Sequence, residues 1–165
     1  MTIFTKSWTN RVLKLIAAIG FIIYISYLAY LTLFDPSYGR EVIHRSINII
    51  PFKTIIQFLA LSHSWHAVLV NIFGNIAAFV PMGFLLPIAF NKLSGLLRVI
   101  IVVLATTFSI EVLQYITGVG AADIDDVLLN VLGGLLGYLM LFLVKKLMVK
   151  LKNRLKQKFR RLKNK

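Results

Sequence analysis

The sequence predicts an all-α integral membrane protein. The expected architecture is a bundle of four transmembrane helices, a short interfacial or re-entrant helix in the first outer loop, and a basic amphipathic C-terminal helix. Three observations predict it. The 165 residues are 58% hydrophobic and 15% charged, with a mean hydropathy of +0.81, whereas soluble domains carry about 25% charged residues. Four apolar runs approach or exceed the ~20 residues that cross a bilayer. The charges are sorted along the chain rather than interspersed. Disorder is excluded, because it needs low hydrophobicity. With no cysteine, disulfides, thiolate nucleophiles and thiolate metal sites are excluded too.

The spans follow in order. Residues 15–34 form an uncharged run of 20 and residues 67–90 one of 24. Residues 96–117 form a third span, interrupted by Arg98 near its start and Glu111 near its end. Residues 124–144 form a fourth, with Asp125 and Asp126 in its first turn. The first run is too long for a signal-peptide core and ends in Leu33-Phe34-Asp35-Pro36 without a small-residue cleavage pattern, so it reads as an uncleaved anchor.

Lys and Arg placement gives the direction. Lys6, Arg11 and Lys14 precede span one, Lys92 and Arg98 flank the turn between spans two and three, and eleven basic residues lie in 145–165. With four spans these groups share one side. Both termini are then expected in the cytoplasm of a multi-pass plasma-membrane protein, with Arg40, Arg45 and Lys53 outside. In the first outer loop, Phe52, Ile55, Ile56 and Leu59 recur at helical spacing after Pro51, which suits a helix start. This piece is expected to lie on or dip into the outer leaflet.

The same topology puts all six acids, Asp35, Glu41, Glu111, Asp123, Asp125 and Asp126, outside or in the outer half of the membrane. At ~1.5 Å per helical residue, Asn71 and Asn75 lie ~6 and ~12 Å deep, and Glu111 and Asn130 both ~9 Å. Asn71/Asn75 and Glu111/Gln114 each share a helix face, as do Asp123, Asp126 and Asn130. Polar faces avoid lipid, so they should meet in a shallow acidic pocket lined by amides. Ordinary readings stand beside this one. Asp123 and Asp126 suit a helix N-terminus, the asparagines suit interhelical contacts, and Gly133-x-x-x-Gly137 suits close packing. His44, His63 and His66 fall in the outer loop, where solvation accounts for them.

The residues also resemble the VanZ family of small membrane proteins. Asn48-Ile49-Ile50-Pro51-Phe52 is similar to its Asn-x-x-Pro-Phe. The run from Asn75 through Phe79 and Pro81 to Gly83 is similar to its Asn-x-x-x-Phe-x-Pro-x-Gly. Glu111-Val112-Leu113-Gln114 matches Glu-x-x-Gln, and Asp123-Ile124-Asp125-Asp126 with Asn130 and Gly133 matches Asp-Ile-x-Asp-x-x-x-Asn-x-x-Gly. The four motifs stand in family order within residues 48–138. Many relatives carry an Arg shortly before the Asp-Ile-x-Asp run, where residues 118–122 here have none, and often Ser where this chain has Thr107. The basic tail lies outside the family pattern. The implied organisation is a VanZ-like membrane domain over 1–144 and a cytoplasmic tail over 145–165.

The resemblance implies a cell-envelope protein that lowers susceptibility to teicoplanin, a glycopeptide with a lipid tail. It would bind or modify a lipid or lipid-linked envelope component at the outer pocket. Asn48, Phe52, Asn71, Asn75, Gln114, Asp125 and Asn130 are the candidate binding residues. A second reading is a membrane-embedded lipid- or glycolipid-modifying enzyme, with Glu111, Asp123 and Asp126 as candidate catalytic groups. In it, the clustered aspartates would take a divalent cation, the partner that hard carboxylate oxygens suit. A third is a non-catalytic assembly or binding module whose polar layer holds helices together. Transport fits less well, since no polar track crosses the inner half.

The net charge of +13 divides into +11 from residues 145–165 and +2 from residues 1–144. Leu147, Leu151, Leu155, Phe159 and Leu162 give the tail an apolar stripe, so its expected partner is anionic lipid. No nucleic-acid partner is expected, because the charge is tethered at the membrane.

Overall fold

The computed structural model describes residues 3–34, 46–61, 65–118 and 120–163. Asp35, Arg40, Glu41, His44, Arg45 and His63 lie outside them. The chain order is α1 (Ile3–Phe34), β1 (Ile47–Asn48), α2 (Lys53–Leu61), α3 (Trp65–Ala89), a 3-10 turn (Asn91–Leu93), α4 (Leu96–Thr117), β2 (Ala122–Asp123) and α5 (Ile124–Lys163). Four helices contain stretches long and apolar enough to cross a membrane: Arg11–Phe34, Val68–Ala89, Leu96–Thr117 and Ile124–Gln157. The all-α membrane bundle expected from the sequence is therefore the observed architecture, and the chain is a multi-pass membrane protein.

Contacts between the long helices fix their alternation. Tyr24 of α1 donates its hydroxyl to the Ala78 carbonyl of α3 at 2.7 Å. Phe21 packs edge-on against Phe90 beyond α3, while near the other end of α1 the Thr32 carbonyl accepts from Gln114 of α4 at 3.0 Å. The Tyr138 hydroxyl of α5 reaches the Ser94 carbonyl in the α3–α4 turn. The helices thus run up and down, and the first turn of α5 stands at the end opposite its basic tail. A compact core of Leu28, Phe79, Met82, Leu86, Val99, Val103 and Ile110 joins α1, α3 and α4. Large apolar side chains such as Ile23, Phe73, Phe108 and Phe142 face outward, as lipid-facing positions do.

The closest seam is α3 against α5. A Cβ added to Gly133 would stand 2.1 Å from the Ile76 carbonyl oxygen, and one on Gly137 2.0 Å from that of Val80. From the facing side, a Cβ added to Gly83 would stand 1.9 Å from the Gly134 carbonyl oxygen. Small residues let membrane helices approach backbone to backbone, where dispersion and weak contacts replace the absent hydrophobic drive.

Two features differ from the sequence expectation. The basic tail is helical, but it is not a separate piece: α5 continues unbroken from the fourth span to Lys163. No Gly or Pro after Gly137 interrupts the chain there, so nothing local ends the helix. The second is a two-residue parallel pairing of β1 with β2, Ile47 opposite Ala122 and Asn48 opposite Asp123. It clamps the α1–α3 connection onto the α4–α5 turn.

Candidate functional site

The site grows from the α4–α5 turn. Gly118 ends α4 in the left-handed conformation, φ 71°, and its N–H returns to the Gln114 and Tyr115 carbonyls; glycine adopts this conformation without a Cβ penalty. Five residues later Asp123 opens α5. Its Oδ1 accepts the Asp125 N–H at 2.9 Å, the bond an N-cap side chain makes to the second helical residue. Its backbone N–H in turn donates to Glu111 Oε2 at 2.8 Å. The α4 glutamate therefore fixes the start of α5.

Asp125 works in the other direction, on α2. The Phe52 carbonyl accepts the first helical bond of α2, from Ile56 N–H at 2.9 Å, so Phe52 stands at the N-cap without a capping oxygen of its own. Asp125 supplies it. Oδ2 accepts Thr54 N–H at 2.8 Å and Ile55 N–H at 3.1 Å, and Oδ1 accepts Phe52 N–H at 2.5 Å. Asp125 is completely buried and both its oxygens are engaged. Pro51 accordingly lies ahead of α2 rather than in its first turn. Pro51, Phe52 at φ 66° and the Lys53 N–H to Ile50 carbonyl bond carry the marks of a type II turn. Phe52, Ile56 and Leu59 project outward, each more than half exposed.

Asn48 and Thr54 complete this clamp. Asn48 Nδ2 donates to Asp123 Oδ1 at 2.9 Å and to Thr54 Oγ1 at 3.0 Å, and Thr54 Oγ1 donates to Asp123 Oδ2 at 2.5 Å. With Asp123 and Asp125 so occupied, they are not available as a carboxylate cage for a divalent cation. Among the described residues no group of three or more His, Asp or Glu side chains is arranged for a metal. His66, at the start of α3, is exposed.

Below the clamp lie the groups with unused capacity. Asn75 Nδ2 of α3 donates to Asp126 Oδ1 at 2.6 Å. Glu111, 6% exposed, has one oxygen on Asp123 and the other free. One turn deeper, Asn130 Nδ2 donates to Thr107 Oγ1 at 2.7 Å, leaving Asn130 Oδ1 buried and without a partner. Asp123 and Asp126 act electrostatically on Glu111, and among the described residues no basic side chain does so on either Glu111 or Asp126. Gln114 joins the layer by its bond to α1, whereas no hydrogen bond ties Asn71 to it among the described residues. Helices α3, α4 and α5 thus bring Asn75, Glu111, Asp126 and Asn130 to one level.

Each of the four motif regions now has a place at one end of the bundle, and comparison with known proteins covers the same ground. The VanZ/LLP1 family model matches residues 21–145. The chain belongs to the VanZ/LLP1 family. It is 31% identical over 116 residues to Protein VanZ of Enterococcus faecium, a match covering 68% of this chain and 65% of that protein. The alignment thus spans just under two thirds of that relative. No solved structure matches the chain. The VanZ/LLP1 match takes in α2 to α4 and α5 up to Lys145, so the basic extension of α5 lies beyond it.

Sequence reasoning gathered the right helices but missed three contributors. Thr54 bridges Asn48 and Asp123, and a threonine on a short helix carries no sequence signal for such a bridge. The Thr32 carbonyl holds Gln114, and a backbone acceptor leaves no trace in side-chain pattern. Thr107 holds Asn130, and its position four residues before Glu111 was the available signal.

Proposed function

We propose that this protein lowers the susceptibility of a cell to teicoplanin and related lipoglycopeptides. It does so by binding or altering a lipid or lipid-linked envelope component at the acid–amide layer. The observation that carries this reading is the pair Glu111 and Asp126, contributed by two helices of a VanZ/LLP1 bundle. Each keeps one oxygen free of bonds from the described residues. An intramembrane carboxylate is expensive to maintain and marks function by default. Basic residues cluster at the opposite end of the bundle, which orients that end and both termini to the cytoplasm. The acids then face the outer leaflet, where the outward apolar side chains of α2 rest in lipid.

Expression in a susceptible host tests it. The inhibitory concentration of teicoplanin should rise more than that of vancomycin, and no rise for either drug contradicts the reading.

A catalytic version of the same site is favoured by the same two free oxygens. Glu111 would serve as general base towards a bound lipid, with Asp126 oriented by Asn75. The basic extension of α5 takes a separate part. Its exposed Leu147, Met148, Leu151 and Leu155 alternate with Lys and Arg, and it engages anionic cytoplasmic lipid at ~1 kcal/mol per basic residue. Removing residues 152–165 should leave insertion intact, because the four spans carry it.

A further inference from the structure

Hydrogen-bond acceptors converge at one level of the bundle, and among the described residues no donor answers them. Glu111 Oε1 remains free after Oε2 takes the Asp123 N–H. Asp126 Oδ2 remains free after Oδ1 takes the Asn75 amide. Neither oxygen is among the buried side-chain atoms left without a partner. Thr107 lies one turn from Glu111 on α4, and Asn130 one turn from Asp126 on α5. The Thr107–Asn130 bond at 2.7 Å therefore forms the floor beneath both carboxylates. Asn130 is 4% exposed, and its Oδ1 is the one buried side-chain polar atom without a partner among the described residues. Buried acceptors are normally satisfied, and a lone acceptor beneath two carboxylates calls for a donor from outside.

We propose that this layer binds a primary ammonium group, as carried by an ethanolamine headgroup, with Glu111, Asp126 and Asn130 as its three acceptors. The inference rests on the proposed outer-leaflet role and names the chemistry that role recognises. A primary ammonium offers three N–H donors and one positive charge. Among the described residues, the layer offers three unpaired oxygens and two carboxylates with no basic neighbour. A divalent cation is a poorer complement, because Asp123 and Asp125 are held as helix caps and no three-ligand group remains among the described residues. A quaternary ammonium brings the charge but no N–H, and so leaves Asn130 Oδ1 unanswered.

The test uses the full chain, purified in detergent, with thermal stability as the readout. The added probes are a short-chain phosphatidylethanolamine, the matched phosphatidylcholine, free ethanolamine and magnesium ion. The ethanolamine lipid should raise the unfolding midpoint and the choline lipid should not. Glu111→Gln and Asp126→Asn should each weaken that response at least about tenfold, the loss of a charge-assisted bond. Both variants keep the oxygen that their protein partner uses, and their midpoints without lipid report whether they fold. A response to free ethanolamine as well supports a small-amine source for the same chemistry; a response to the lipid alone supports the headgroup. Equal responses to both lipids, responses unaffected by the substitutions, or stabilisation by magnesium in place of the ammonium overturn the proposal. If Glu111→Gln abolishes teicoplanin protection while no amine binds, the proposed function stands and only the ammonium assignment fails.

Discussion

The Asp125 carboxylate of α5 accepts the backbone N–H of Thr54, 71 residues earlier in the chain, at 2.8 Å. One helix thereby caps another. This relationship divides the described acids by role. Asp125 and Asp123 hold α2 and the strand pair in place, while Glu111 and Asp126 each engage one oxygen among the described residues and leave the other unbonded there. A row of three aspartates in four residues is thus two architectural groups beside one open one.

Replacing Asp125 by Ala should release the start of α2. Three backbone N–H groups lose their acceptor, and an unsatisfied donor costs about 1–3 kcal/mol where water cannot replace it. Hydrogen–deuterium exchange should accelerate at amides 52, 54 and 55 while α3 and α4 keep their protection. Unchanged exchange at those amides would refute the cap.

Position 52 offers a contrast between backbone and side chain. Phe52 holds φ 66°, a left-handed conformation that costs a non-glycine residue about 1–2 kcal/mol. Phe52→Gly should therefore fold at least as stably as the parent, and Phe52→Ala should be no more stable than Phe52→Gly. If the exposed ring contacts ligand, the glycine variant loses protection against teicoplanin without losing stability. Thermal unfolding in detergent and the inhibitory concentration, measured together, separate the two effects.

The glycine seam should tolerate no added methyl group. Gly133→Ala would set a Cβ against the Ile76 carbonyl and force α3 and α5 apart, an overpacking cost of about 1–3 kcal/mol or more. Gly20→Ala, with nothing within 4 Å of the new Cβ, should be neutral or stabilising by about 0.5–1 kcal/mol. Unfolding midpoints of the two variants should move in opposite directions or differ clearly.

The floor of the layer depends on one hydroxyl. Thr107→Val keeps the shape but removes the acceptor of the Asn130 amide, leaving both ends of that amide unpaired inside the bundle. A loss of about 1–3 kcal/mol is expected. Thr107→Ser retains the oxygen and should recover most of it. Similar destabilisation by both substitutions would mean the methyl, not the bond, matters.

Much of this was legible in the chain because the relevant patterns are local. Spans show as apolar runs, and Glu111/Gln114 or Asp126/Asn130 share a face by helical spacing alone. Asp123 as an N-cap was legible for the same reason. The cap from Asp125 to α2 was not, because it joins segments 71 residues apart through backbone N–H groups that any sequence carries. Nor was the β1–β2 pairing, since two-residue strands have no periodicity to read. The continuation of α5 was partly legible: residues 138–163 contain no Gly or Pro, yet the change from apolar to basic suggested a new element. Composition changes there while the backbone does not.

Under the proposed function, Glu111 and Asp126 each serve a ligand in addition to the one bond each makes within the fold. The most direct measurement is teicoplanin protection by Glu111→Gln and Asp126→Asn, normalised to the amount of each protein in the membrane. Both substitutions preserve shape and the existing hydrogen bonds to Asp123 and Asn75. The account expects membrane abundance near that of the parent with protection lost. Full protection by both variants, or a loss of protection that merely tracks lost protein, would contradict it.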